Sequence, residues 1–480
     1  MDEQLRYFLE NTAVVGADLE SRLMHPFTKL KYPARQAFGA LKNYAADFFQ
    51  FGSEPRFVSL AGLRGVGKTT LLWQTASHTL STHQGAVYFF NVNTLRNLGI
   101  DLHTALDEFQ KQILKKRFKQ LTEPITLLFD EVHDDDNWSI TLKILYDEAR
   151  TAFILCTGSS ALLLNSTADL SRRMHTLSLF PFSFSELLQA QNALFPQQEV
   201  LSPDATLGAE LKEILFFGER AEQVHANLLG LTARISPVFA QEKIDMDLVI
   251  SRYIDFLNFP NLLFFKDEVI ISNSILDLFK RIIHEDIPKL KPTFNDFNKI
   301  ERLILRLAGS DEINPEKLAG IIGVKQNEIL ELIGILAKAE LLTVLLPYGG
   351  LDTKIVKNRK AFFMSPSLRR ALLSSLYGQK LPEQFNSKLL EDTVVMYLKR
   401  VLREGAISFV SGNNDVNPDL VIETRDNPIL LEIGTGKTTM RQIIQSKINH
   451  RYGILISNAI KEPELKGNII QLPLNWFLLL

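Results

Sequence analysis

The sequence predicts an α/β protein. Its first part reads as a parallel sheet covered by helices, its middle as mainly helical, and its last part as a second, smaller α/β unit. Three observations carry that prediction. Short apolar runs alternate with amphipathic stretches up to about residue 180, the pattern of parallel strands joined by crossover helices. Between residues 185 and 285 the spacing is helical, without a strand signal. From Leu389 onward, helix and strand signals alternate again. At 480 residues, the chain has room for about three domains of ~150 residues.

Composition narrows the classes. Lys and Arg number 53 and Asp and Glu 55, a formal net charge of −2; this excludes a uniformly cationic coat and leaves room for a local basic face. With 46% apolar and 22% charged residues, a disordered or collagen-like chain is excluded. Cys156 is the single cysteine, so no disulfide forms within the chain. The nine histidines show no metal-ligand spacing with it or with each other, which excludes a zinc finger. Met1-Asp2-Glu3-Gln4 lacks the basic and then apolar pattern of a secretory leader, and the apolar stretches are too short or too interrupted to cross a bilayer. The expectation is a soluble, cytoplasmic protein with no membrane partner.

The elements follow in order. Residues 1–50 read as helical, with apolar positions three and four apart and little glycine. Residues 57–61 are a strand running into glycines, and 68–80 a helix. Residues 86–92 are a second strand. Asp101 stands where it would cap the next helix, which carries Phe109, Ile113 and Phe118. Residues 125–129 are a third strand, 138–149 a helix, 153–157 a fourth strand and 175–179 a fifth. Three helices are expected at 300–308, 315–322 and 326–339, followed by apolar segments at 342–346 and 361–364. That order is the order of a winged helix-turn-helix unit. The last region reads as a helix from Leu389, strands at 407–410, 420–423 and 429–433, a helix at 440–448 and a strand at 453–456.

The strongest chemical signal is Gly62-Leu63-Arg64-Gly65-Val66-Gly67-Lys68-Thr69-Thr70. It fits G-x-x-x-x-G-K-[ST] without a mismatch and lies between a strand and a helix, as a P-loop requires. Its glycines let backbone N–H groups close around phosphate oxygens, at the positive end of the following helix. The expected nucleotide-binding set is therefore Gly62, Arg64, Gly65, Val66, Gly67, Lys68, Thr69 and Thr70. Lys68 would reach the β and γ phosphates of ATP and Thr69 would hold Mg²⁺. Residues 125–131 complete the pair: an apolar strand ends in Asp130 and Glu131. Asp130 is the expected second Mg²⁺ ligand and Glu131 the residue that polarises water for hydrolysis. Asp134-Asp135-Asp136 reads as a solvated loop rather than a second metal site. Thr157-Gly158-Ser159-Ser160 follows the fourth strand, and Ser159 is the expected γ-phosphate sensor. Arg172-Arg173 precedes the fifth strand. Arg173 there acts on a neighbouring subunit's nucleotide in one reading and is a solvated surface residue in the other.

Together with Phe180-Pro181-Phe182-Ser183-Phe184-Ser185-Glu186, these segments resemble the microbial AAA-type ATPases often labelled AAA family 14, which are close to the STAND signal-transduction ATPases. The likeness runs from about residue 35 to 460 and is most specific in the core. It implies a P-loop NTPase with an AAA+-like parallel sheet, a helical lid, a winged-helix domain and a C-terminal restriction-endonuclease-like α/β domain of the PD-(D/E)xK type. The expected division is an N-terminal helical segment at 1–50, the ATPase core at 51–184, the lid at 185–290, the winged helix at 291–380 and the nuclease-like domain at 381–480. The sequence departs from the family at Asn258-Phe259-Pro260, where a Gly-Gly-x-Pro segment is usual.

In the last region Glu391, Asp419 and Glu432 are the carboxylates that such a nuclease would gather around Mg²⁺. Gly434 occupies the position of the usual lysine, and Lys437 is the nearest substitute. A nuclease-like fold kept for binding or regulation is the rival reading. Gly434-Thr435-Gly436-Lys437-Thr438-Thr439 imitates a second P-loop but has Leu431 in place of the first glycine, and is rejected. Residues 281–380 carry 16 Lys and Arg against 11 Asp and Glu, a net +5. Lys354, Lys357, Arg359, Lys360, Arg369 and Arg370 cluster at the second half of that stretch. Double-stranded DNA is one partner they would suit; a protein partner, or a second copy of the chain, is the other. Two functions stay open: a DNA-associated Mg²⁺-dependent ATPase, and a nucleotide-controlled interaction switch. Both bind ATP and ADP.

Overall fold

The computed structural model describes residues 3–83, 85–159, 168–290, 296–310, 312–356, 358–403, 405–412 and 417–480. Ser160 and Lys357 lie outside the described residues. The chain divides into two compact units, Met1–Phe180 and Pro181–Leu480.

In the first unit five strands form one sheet: β1 (Phe57–Ala61), β2 (Ala86–Asn91), β3 (Ile125–Asp130), β4 (Ala152–Gly158) and β5 (His175–Ser178). Their order is β2-β3-β4-β1-β5 and every pair is parallel. β1, β3 and β4 are buried at every residue. That is why they read as continuous apolar runs rather than alternating ones. Helices Leu102–Phe109 and Trp138–Glu148 pack onto the sheet through a core that includes Phe90, Phe109, Phe129, Leu142 and Cys156. Asp101 caps its helix as expected, its carboxylate accepting the Thr104 N–H at 2.8 Å.

The N-terminal segment differs from the all-helical expectation. It forms three helices, Glu3–Glu10, Gly16–Leu23 and Ala37–Phe51, separated by non-helical chain. Thr12 C=O accepts the Phe89 N–H at 2.8 Å, and the Val14 N–H donates to Val87 C=O at 2.9 Å. The stretch 12–14 therefore covers the outer edge of β2. An edge strand presents unmatched backbone groups, and satisfying them outweighs helix propensity at these residues.

The second unit begins with helices, among them Phe184–Leu194, Leu207–Phe217, Ala221–Gly230, Met246–Asp255 and Glu268–Arg281. Helices Phe297–Ala308, Pro315–Ile322 and Gln326–Lys338 follow, with β6 (Glu312–Ile313), β7 (Leu342–Pro347) and β8 (Arg359–Phe363). β8 pairs antiparallel with both β6 and β7. After helix Asn386–Val401 come β9 (Ile407–Phe409), β10 (Leu420–Ile422), β11 (Ile429–Gly434), β12 (Gly453–Ser457), β13 (Glu464–Lys466) and β14 (Ile469–Pro473). β13 and β14 lie beyond the last strand that the sequence pattern marks. All nine strands join in one sheet, β13-β14-β12-β11-β10-β9-β7-β8-β6. The joint is a parallel pairing of β7 with β9, Leu346 beside Ser408 and Pro347 beside Phe409.

Two polar knots sit inside this unit. The Arg369 guanidinium donates to both carboxylate oxygens of Asp392, at 2.6 and 2.8 Å, and to Ala308 C=O at 3.2 Å. Asp392 also accepts the Phe363 N–H at 2.8 Å. Both side chains of the pair are 0% exposed. Asn258, also fully buried, accepts the Ser365 and Ser367 hydroxyls at 2.9 and 2.8 Å and donates to Tyr253 C=O at 2.9 Å. A glycine at 258 would offer no side-chain amide for these bonds. Among the described residues no helix is long and apolar enough to cross a membrane.

Candidate functional site

The glycine loop runs from the end of β1 into helix Lys68–Thr82. Gly65 and Gly67 have φ of 82° and 96°, a backbone region that a side chain disfavours. A Cβ on Gly62 would come within 2.4 Å of Leu179 C=O, so the first glycine allows close backbone approach. The Lys68 ammonium is buried and donates to Gly62 and Leu63 C=O at 2.9 and 3.1 Å.

The sheet order places β4 between β1 and β3, and this assembles the site. The Thr69 hydroxyl lies 3.1 and 3.0 Å from the two Asp130 carboxylate oxygens. From the end of β4, the Thr157 hydroxyl donates to Asp130 Oδ1 at 2.6 Å and accepts the Glu131 N–H at 2.9 Å. Glu131 adopts φ 56° and its carboxylate stands 3.4 Å from Nδ1 of the buried His133. Asp134 is taken up by Asn93 at 2.7 Å and Arg96 at 3.1 Å. Asp135 accepts the Leu102 N–H at 2.7 Å. Burial, and after it the adjacent Glu131 charge, raises the Asp130 carboxyl to about 6, against the pull of Thr157, Thr69 and Lys68.

Lys68, Thr69, Asp130 and Glu131 thus converge, with Arg64 and Thr70 on the same loop and first helical turn. Thr157, rather than Ser159, meets the acidic pair. Ser159 is buried with its hydroxyl unpartnered among the described residues. Arg173 is held by Asp147 at 2.9 Å and by Asp169 C=O at 2.7 Å. This is a surface clamp between helix Trp138–Glu148 and residues 168–171. The sequence reading missed two contributors. Thr157 is found only from the strand order, because it must lie beside Asp130 across the β3–β4 ladder. Arg35, from the N-terminal segment, bonds Val66 C=O of the loop and has no motif of its own.

In the second unit, β10 and β11 run antiparallel with Leu420 opposite Leu431, which brings Asp419 and Glu432 to one edge. Asp419 accepts the Ile433 N–H at 2.8 Å. Lys437 folds back over Gly434 to pair with Glu432; a Cβ on Gly434 would overlap the Lys437 chain at 2.4 Å. Burial, then the Glu432 charge, pushes Asp419 up to about 7, and burial raises Glu432 as well. Glu432 Oε2 is buried without a hydrogen-bond partner among the described residues. Glu391 does not join them: no group of three or more His, Cys, Asp or Glu placed to hold a metal occurs among the described residues. On that helix the inward acid is Asp392, committed to Arg369. A cavity of about 480 Å³ opens at the carboxyl ends of β11, β12 and β14. Thr435, Asn458 and Leu474, each the first residue past its strand, line it.

The expected basic face is largely dismantled. Arg369 is buried, Lys354 pairs with Glu423 at 2.9 Å, and Arg370 lies 3.5 Å from Asp255 and donates to Gln379 C=O at 3.0 Å. Lys360 sits 5.3 Å from the centre of the Phe409 ring, and Arg359 is exposed.

Residues 54–188 match the family model of an AAA domain. Over this stretch the chain is similar to AAA-type P-loop ATPase domains. A model for a domain of unknown function matches residues 262–377. An uncharacterised protein of Methanocaldococcus jannaschii is 28% identical over 441 residues, covering 90% of this chain and 87% of its own. Among solved structures, the Aeropyrum pernix Orc1 protein in complex with DNA gives 13% identity and a TM-score of 0.32, over 77% of this chain and 98% of that one. The Thermotoga maritima RuvB Holliday junction branch migration motor gives 16% and 0.27, over 65% and 89%. Superpositions of that size add no weight to the fold described above.

Proposed function

We propose that this chain is a Mg²⁺-dependent, ATP-hydrolysing protein that associates with DNA and carries a nuclease-like C-terminal domain. The observation that carries the ATPase reading is the meeting of Thr69, Asp130, Glu131 and Thr157 beside a glycine loop. Backbone N–H groups of the loop would take the phosphates, and Lys68 would exchange its two loop carbonyls for phosphate oxygens. Thr69 and Asp130 would hold the metal; a buried carboxylate raised by desolvation suits a divalent cation. Bound Mg²⁺ supplies neutralisation of charge on the transferring phosphoryl group. Glu131, with its amide fixed by Thr157, would polarise the attacking water.

For the second unit, residues 185–290 are the proposed lid. The order of three helices and the β6-β8-β7 arrangement supports a winged helix. The Asp419–Glu432–Lys437 edge supports the nuclease-like reading.

A nucleotide-controlled switch without nuclease activity is the second reading. The burial of Arg369 and the pairing of Lys354 and Arg370 favour it, since duplex binding draws on free cations. Steady-state ATP turnover of wild type and Glu131→Gln, with and without duplex DNA at two salt concentrations, separates the readings. Glu131→Gln is expected to keep ATP and lose turnover; normal turnover removes Glu131 from its role. DNA stimulation that fades with salt supports DNA association, and a rate indifferent to DNA supports the switch.

A further inference from the structure

Arg35 lies 27 residues before Gly62 and outside every motif, yet its side chain reaches the centre of the loop. It is 8% exposed. One guanidinium nitrogen donates to Val66 C=O, and the other donates to Phe180 C=O at 2.8 Å. The backbone that carries it is itself fixed. Gln74, buried on helix Lys68–Thr82, donates to Tyr32 and Pro33 C=O at 3.2 and 3.1 Å, and the Tyr32 N–H donates to Leu23 C=O at 2.9 Å.

The consequence follows from peptide geometry. In a trans peptide, C=O and the following N–H lie in one plane and point in opposite directions. A donor that holds Val66 C=O therefore decides which side the Gly67 N–H faces. On the Gly67 side sterics leave the choice open: at φ 96° this residue carries no Cβ to restrict the peptide. The Gly67 N–H belongs to the row of loop donors that grips phosphate. Arg35 is a rigid fork, and its second arm is anchored to chain on the far side of the loop, where Leu179 C=O packs against Gly62.

We propose that Arg35 is a positioning residue for the phosphate-binding loop: by holding the 66–67 peptide in one orientation, it pre-forms the anion site for ATP and ADP. This rests on the P-loop reading of residues 62–70. Pre-forming a site acts on affinity rather than on the chemical step.

The experiment measures equilibrium binding of Mg-ATP and Mg-ADP, with kcat and KM for ATP, in wild type, Arg35→Gln, Arg35→Lys and Lys68→Ala. Melting temperatures without nucleotide are recorded in parallel. Arg35→Gln is expected to weaken both nucleotides by roughly tenfold or more, the scale of one charge-assisted hydrogen bond, with kcat at saturation within about twofold. Arg35→Lys, which can reach one carbonyl but not both, is expected to fall between. Arg35→Lys also serves where the glutamine variant does not fold. Affinity within twofold of wild type in Arg35→Lys and Arg35→Gln overturns the inference, as does a fall in kcat at unchanged KM. A lower melting temperature with unchanged affinity assigns Arg35 to stability alone and also overturns it. If Lys68→Ala binds ATP as wild type does, the P-loop reading itself fails, independently of Arg35.

Discussion

At Thr157 one hydroxyl serves two neighbours, donating to Asp130 and accepting from the Glu131 amide. Thr157→Val keeps the shape and removes both bonds. It leaves a buried carboxylate short of one donor and a backbone N–H without its acceptor, a loss of about 1–3 kcal/mol. The expected outcome is a kcat reduced roughly tenfold to hundredfold with ATP affinity little changed. An unaltered kcat shows that Thr157 positions neither acid. Asp419 makes a different kind of statement, about pH. Its folded value, about 7, lies above the ordinary ~3.9 of an unfolded aspartate. The unfolded chain therefore ionises first, and stability falls as pH rises between those two values. Asp419→Asn removes Asp419's share of that dependence, while Glu432, also raised by burial, keeps its own. The variant's melting temperature is expected to exceed wild type above pH 7, with the gap closing towards pH 4. A gap that widens on acidification refutes the assignment.

At the level of elements, legibility in the sequence tracked how local the governing physics is. β1, β3 and β4 were readable because full burial on both faces demands continuous apolar residues. The loop at 62–70 was readable because phosphate chemistry demands glycine, lysine and threonine at fixed offsets. Asp130 and Glu131 came with their strand. What failed depended on neighbours distant in sequence. Residues 12–14 leave the helical pattern because β2 has an edge to cover. Thr157 bonds Asp130 because β4 pairs with β3, a contact that no local pattern announces. Arg369 looked like part of a basic face and is instead the partner of Asp392, 23 residues away. Glu391 and Asp392 are adjacent carboxylates, and only packing decides which one turns inward.

At the scale of the molecule, the five proposed segments resolve into two compact units. The segments 291–380 and 381–480 share one sheet. Elements that share a hydrogen-bonded ladder and a buried ion pair unfold together. Calorimetry of the full chain is expected to give two main transitions rather than a separate one for each segment. Saturating Mg-ATP should raise only the transition of the unit that holds the loop. A third transition, for residues 291–380 alone, contradicts this.

The β7–β9 pairing has a mechanical meaning. A hinge needs a few residues able to absorb a large change of φ and ψ, and a strand ladder offers none. The hairpin of β7 and β8 and the edge bearing Asp419 and Glu432 therefore belong to one stiff plate. A load applied at the hairpin reaches the carboxylates through that ladder, as twist of the sheet.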